Sequence, residues 1–186
     1  MNNIQDISSY TPKKNDIFLL DTNVLIKIFY PALGAHNSAP YINFYEKILK
    51  SNSKVLLSSV QLSEFVNRCI RFQFDLYRQN HPEVQNFKED YRNTEDYKSS
   101  MDAILEIIEH DIFPVFTRIN DNFELLNPQN LLMHSFSYDF NDAVIAEISR
   151  HQQAFLVTDD RDYVNYLNKL NIITKNRALL MFRSRK

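Results

Sequence analysis

The sequence predicts an α/β fold, a doubly wound sheet of mainly parallel strands flanked by helices on both faces. Two observations predict it. Short apolar runs alternate with stretches of helical period, the pattern of parallel strands joined by helical crossovers. Acidic residues recur directly after the apolar runs, where an open parallel sheet gathers its chemistry.

The elements follow in chain order. Residues 1–15 form an N-terminal extension ahead of the first strand. Strands are expected at Ile17–Leu20, Lys54–Leu57, Ala154–Val157 and Asn171–Thr174, each a compact apolar run of strand length. The stretch "IFPVF" (Ile112 to Phe116) is interrupted by Pro114, which leaves an edge strand or a loop. Helices are expected at Asn23–Phe29, Ala39–Lys50, Val60–Gln79, Glu95–His110, Asn141–His151 and Asn176–Phe182. Residues 80–130 make a longer helical and aromatic insertion region, and residues 183–186 a basic, solvated tail.

At 186 residues, one domain with a substantial core accounts for the whole length. The formal net charge of −2 provides no global basic field, so a nucleic-acid partner would need a local patch or metal ions. One cysteine excludes an internal disulfide framework and fits a reducing compartment; Cys69 lies on an apolar helical stripe and reads as core. The opening "MNNIQDISSY" lacks the basic and apolar regions of a signal peptide, and no apolar stretch approaches membrane-spanning length. A cytoplasmic protein without membrane association is therefore expected. The single glycine, Gly34, rules out Walker and dinucleotide loops, which need several glycines for backbone amides to reach phosphate.

Four places carry the acids. Asp21 ends the run "IFLL"; Glu64 sits in the helix leaving the second strand; Asp142 starts a later helix; Asp159, Asp160 and Asp162 follow the third strand in "FLVTDDRDY". Clustered carboxylates repel one another and suit a hard divalent cation such as magnesium, which takes oxygen ligands and keeps several waters. Each acid also has a plain alternative. Asp21 or Thr22 caps a helix, Ser58 and Gln61 have capping-box spacing, and Asp139/Asp142 and Asp159/Asp162 stand three apart at helix starts. Capping explains each acid singly but not their recurrence at strand ends.

The helix carrying Glu64 shows two stripes. Leu62, Phe65, Cys69, Phe72 and Leu76 are apolar; Glu64, Arg68, Arg71, Asp75 and Arg78 are polar. The arginines read either as a phosphate-binding row, with Arg68 nearest the acid, or as a solvated face of i,i+4 pairs. The five histidines show no zinc-ligand spacing, and His134 and His151 read as surface or packing residues. Tyr138 and Tyr163 border the acids and suit stacking on bases.

In order and context these residues resemble the PIN-domain nucleases, and among them the toxin-like, VapC-type members. "LLDTNVLI" resembles the first motif of that family, "SSVQLSEF" the second, "DFNDAVIAEI" the third and "LVTDDRDY" the fourth. The resemblance spans Ile17 to Thr174 and implies a metal-dependent ribonuclease with a PIN-like sheet. It implies that Asp21, Glu64, Asp142 and Asp160 hold one or two Mg²⁺ or Mn²⁺ ions, with Asp162 as a further ligand or a support. It also implies that Asn23 and Thr158 keep the carboxylates or a water in place. Arg68 is then a candidate contact for substrate phosphate. An RNA substrate, a cognate antitoxin protein and a homodimer are the partners so implied. Asp139 and Asp159 are extra acids to which the resemblance gives no role.

Two other readings compete. A haloacid-dehalogenase-like phosphatase also places an Asp after the first strand, with Ser58 and the Asp159–Asp160 pair in later parts. Its second Asp would fall at Asn23, which cannot act as general acid or base. A non-catalytic PIN-like binding module is the third reading, against which stands the presence of every motif acid.

Overall fold

The computed structural model describes residues 3–34, 36–132, 139–166 and 170–184. Its six strands are β1 (Asn3–Asp6), β2 (Ile17–Leu20), β3 (Lys54–Leu57), β4 (Thr117–Arg118), β5 (Phe155–Val157) and β6 (Asn171–Thr174). They form one sheet in the order β1-β6-β5-β2-β3-β4 with every pairing parallel. The α/β, doubly wound architecture expected from the alternating pattern is what the chain adopts.

Two strands went unread in the sequence. Residues 3–6, assigned to an extension, pair with β6 in the register Asn3↔Asn171 to Asp6↔Thr174. With only Ile4 buried among its hydrophobic neighbours, this edge strand carries too little apolar signal to stand out. Strand β4 is two residues long and follows "IFPVF"; Ile112 ends a π-helical turn (Ile108–Ile112), and Pro114 falls between that turn and the strand.

Eight α-helices join the strands among the described residues: α1 (Thr22–Phe29), α2 (Pro31–Gly34), α3 (Ala39–Ser51), α4 (Ser59–Asn80), α5 (Glu95–Ile107), α6 (Pro128–Leu131), α7 (Phe140–His151) and α8 (Arg177–Ser184). Alternation along β2 explains the two faces. Phe18 and Leu20 point into a core shared with α1, α3, α4 and α5, while Leu19 points into a second core with α7, Tyr163, Tyr166 and Leu179 of α8. Full burial of each such side chain contributes about 1.5–3 kcal/mol.

Helix α4 begins with the expected capping box: the Ser58 side chain and Gln61 backbone pair, and the Gln61 side chain returns to the Ser58 amide at 2.9 Å. Its apolar stripe departs from the expected one. Phe65 and Cys69 are buried, but Leu76 is 38% exposed and the core continues through Ile70 and Phe74. The aromatics of residues 80–130 close this end of the core. Phe74 packs on Phe87 and Tyr91 with ring centroids 5.4 and 5.3 Å apart. Arg71 lies over Phe87, 3.8 Å from its centroid, and Asp75 pairs with Arg78 at 3.9 Å rather than with Arg71. The outer arginines therefore brace the surface of α4.

No described helix is long and apolar enough to cross a membrane. The expectations for His134 and Tyr138 and for the end of the basic tail fall outside the described residues.

Candidate active site

The topology fixes where the acids meet. β2 pairs with β5 on one side and β3 on the other, so the connections leaving its carboxyl end diverge and open a cleft. Asp21 stands at that end, between β2 and α1. The first turn of α1 needs an N-cap, and Asp21 provides it by accepting from the Thr22 amide at 2.8 Å. The cap reading of Asp21 is thus realised, and the same side chain stands at the mouth of the cleft.

Asp21 is only 3% exposed. Its Oδ2 accepts from the Thr158 hydroxyl at 2.7 Å and its Oδ1 from the Tyr163 hydroxyl at 3.2 Å. Burial, against those hydrogen bonds and with the charges of Glu64 and Asp160 adding to it, pushes the carboxyl up to about 7. Glu64, one turn into α4, accepts from the Thr22 hydroxyl at 3.0 Å and stands 3.6 Å from Arg68. Burial raises its pKa as well.

Asp142 lies in the first turn of α7, and its Oδ1 accepts from the Tyr163 hydroxyl at 3.3 Å. Burial first, then the charges of Asp21, Asp139, Asp160 and Glu64, push it up to about 8. Asp160 receives no such shelter in a helix. Its amide donates to the Thr158 hydroxyl at 2.9 Å, and its Oδ1 accepts from the Asp162 amide at 2.8 Å, opening a 3₁₀ turn over Arg161–Tyr166. Asp160, not Asp159, caps this segment, which corrects the spacing-based expectation. Asp162 is half-buried beside Arg161, its Oδ1 3.7 Å from Nε.

The two unassigned acids have structural partners. Asp139 caps α7, accepting from the amides of Asn141 at 2.7 Å and Asp142 at 3.4 Å. Asp159 accepts from the Tyr41 hydroxyl at 2.8 Å and pairs with Lys27 at 3.2 Å. Asn23 accepts from the Asp159 amide at 3.3 Å, so it holds the turn after β5 rather than a carboxylate.

Three contributors escaped the sequence reading. Thr22 sits inside the first motif but was read only as a cap. Lys27, one helical turn beyond Asn23, is the one signal that spacing on α1 offered. Tyr163 was read as a stacking residue, yet it is fully buried and its hydroxyl serves Asp21 and Asp142, so it has no free face for a base. The phosphatase reading loses its hydroxyl in the same way: Ser58 is buried and bound to Gln61 at 2.8 Å.

A metal fits the chemistry of this donor set. The four carboxylates come from three helix starts and one turn; burial and neighbouring carboxylate charges raise Asp21, Glu64 and Asp142, and among the described residues the only ion pair made by the four is that of Glu64 with Arg68. An all-oxygen, anionic set of this kind is that of Mg²⁺ or Mn²⁺. Among the described residues, however, no three acidic groups stand positioned around a single point as they are placed. The Tyr163 hydroxyl lies between two of them.

A family model described as the PIN domain matches residues 18–168. Among solved structures, the chain is similar to VapBC2 from Rickettsia felis bound to a DNA fragment from its promoter, at 18% identity and a TM-score of 0.47, covering 86% of this chain and 99% of that one. It is also similar to FitAcB from Neisseria gonorrhoeae, at 18% identity and a TM-score of 0.48, covering 84% and 96%. No curated protein matches the sequence.

Proposed function

The chain belongs to the PIN domain family, whose members are generally nucleases, and from that premise we propose that it is a metal-dependent endoribonuclease working at the cleft of Asp21, Glu64, Asp142 and Asp160. The supporting observation is that buried Asp21 and half-buried Asp142 meet at one hydroxyl, with Glu64 and Asp160 near enough for their charges to raise both. Ionised carboxylates are not kept in such a place without a counter-charge.

In this reading the four carboxylates hold one or two Mg²⁺ or Mn²⁺ ions, directly or through water, and Asp162 ligates or supports them. Ions held there would supply an activated water and charge stabilisation at the leaving oxygen. The chain's own residues prepare that site. Thr158 and Thr22 fix the carboxylates of Asp21 and Glu64 by hydrogen bonds at 2.7 and 3.0 Å. Tyr163 supports Asp21 and Asp142 from below. Asn23 fixes the turn that presents Asp160. Arg68, 45% exposed beside Glu64, is placed to meet a phosphate oxygen. Products with 5′-phosphate and 3′-hydroxyl ends follow from the family chemistry.

The motif resemblance extends the reading to the toxin of a toxin–antitoxin pair acting in the cytoplasm, with an antitoxin reaching into the acidic cleft and a homodimer as the working unit. Co-expression with the product of the neighbouring small open reading frame, followed by size-exclusion chromatography, tests both. A monomer that captures no partner would remove this extension while leaving the nuclease untouched.

Cleavage of labelled single-stranded RNA, and of DNA of the same sequence, with Mg²⁺, Mn²⁺ or EDTA tests the activity itself. RNA cutting that needs the metal and is lost in Asp21→Asn, with circular dichroism unchanged, is the expected result. Cutting that survives EDTA and the substitution would place the chemistry elsewhere. No cutting with either metal would favour the non-catalytic binding module.

A further inference from the structure

The pocket beside Asp160 continues away from the acids. It encloses ≈ 320 Å³ and is lined by Lys27, Arg68 and Arg161 in addition to Asp160. A second hollow of ≈ 630 Å³, lined by Lys175 and Arg177, adjoins it, because Asp159 and Asn176 border both. Together they make one trough across the carboxyl ends of β5, β6 and β1.

The charges of this trough are unequally answered. Asp159 is neutralised by Lys27, whose side chain is 12% exposed and also reaches the His36 carbonyl. Asp6 is matched by Lys175 at 3.3 Å. Arg161 keeps a side chain 78% exposed, with its Nε 3.7 Å from Asp162, a solvated pair that contributes little. Arg177 is exposed and has no ion pair among the described residues. Asp159 and Asp6 are therefore answered by lysines of the trough itself, Asp160 stands at its inner end, and the exposed Arg161 and Arg177 line it with no close ion pair among the described residues. With a formal net charge of −2, this is a local basic feature rather than part of a general field.

A ligand suited to it is extended, carries repeated negative charge and reaches Asp160 at one end. Guanidinium forks match phosphate oxygens bidentately. We propose that this trough carries the phosphate backbone of the substrate strand on one side of the cut bond, with Arg161 and Arg177 as its phosphate contacts. The inference rests on the ribonuclease reading above, which supplies the strand and the position of the cut.

Fluorescence anisotropy of a labelled single-stranded RNA oligonucleotide, in EDTA so that nothing is cut, tests it. The full chain is compared with the double variant Arg161→Gln/Arg177→Gln and with a charge-matched control, Lys88→Gln/Lys98→Gln, on exposed positions away from the trough. The double variant is expected to lose affinity about tenfold, and its log K against log salt slope to fall by about 1.4, near 0.7 for each phosphate contact. The control is expected to match the unsubstituted chain. A double variant that binds like the control would overturn the proposal, as would an unsubstituted chain that binds no RNA. The latter result would fit a trough that receives an acidic protein segment instead. Binding and slope that behave as expected in a chain that cuts no RNA with Mg²⁺ or Mn²⁺ would remove the nuclease reading and keep the trough.

Discussion

The Thr158 hydroxyl donates to Asp21 Oδ2 at 2.7 Å across 137 residues of sequence, and the same oxygen accepts the Asp160 amide at 2.9 Å. One buried side chain thus sets the position of two site acids at once. Thr158→Val keeps the shape and removes both bonds. The expected cost is about 1–3 kcal/mol for the carboxylate oxygen left without its donor, read as a lower midpoint in urea. Divalent affinity by calorimetry is expected to fall by about 10–100-fold. Thr158→Ser, which retains the hydroxyl, is expected to restore both, and equal behaviour of the two variants would remove this role.

Tyr163→Phe deletes a hydroxyl from a fully buried ring and leaves its packing. Asp21 and Asp142 then lose the donor they share. The metal-free protein is expected to lose about 1–3 kcal/mol at neutral pH, seen as a lower melting temperature in EDTA. If the melting temperature is unchanged, the hydroxyl does not hold the two acids.

Asp142 titrates near 8 and Asp21 near 7 in the folded chain, both raised first by burial. A raised carboxylate stabilises the fold only while protonated. That stability is full below the ordinary carboxylate range near 4 and is lost as pH rises through the folded values. In EDTA the melting temperature is therefore expected to fall from about pH 5 to about pH 8, most steeply between about pH 5 and pH 7 and levelling off once both folded values are passed. Asp142→Asn keeps the acceptor for Tyr163 and removes the repulsion. It is expected to flatten the profile and to raise the melting temperature near pH 8 by about 2–4 °C for each kcal/mol regained. A variant as steep as the parent would mean the acids do not repel as placed.

Gly34 faces the backbone of α1 closely enough that an added Cβ would stand 2.7 Å from Lys27 Cα and 2.8 Å from its nitrogen. Helix backbone cannot yield as a flexible side chain does. Gly34→Ala is expected to cost about 1–3 kcal/mol and to disturb the Lys27–Asp159 pair, so that both urea stability and RNA binding decline. An alanine variant of unchanged stability would show that α2 is free to move.

Much of this architecture was legible because its signals are local. The cores of β2, β3, β5 and β6 are unbroken apolar runs, and α1, α3, α4, α5 and α7 announce themselves through period and caps such as Ser58–Gln61. The acids were legible by their place after strand ends. What stayed hidden depends on distant partners. β1 is a strand only because β6 lies beside it, and Leu76 left the core because the buried face of α4 turns toward Phe74. Thr22 meets Glu64 across 42 residues and Tyr163 meets Asp21 across 142, which no spacing rule reports. Asp159 looked interchangeable with Asp160 until Lys27 and Tyr41 claimed it.

The central place of β2 bears on how the molecule comes into being. Its first neighbour, β3, follows after three helices, but its other neighbour, β5, arrives only after most of the chain. Closing so long a loop is entropically costly and slows assembly. During synthesis Asp21 and Glu64 emerge early and wait, solvated and apart from Asp142 and Asp160. The cleft is therefore complete only when β5 lies beside β2, and a chain that stops before β5 carries Asp21 and Glu64 without Asp160.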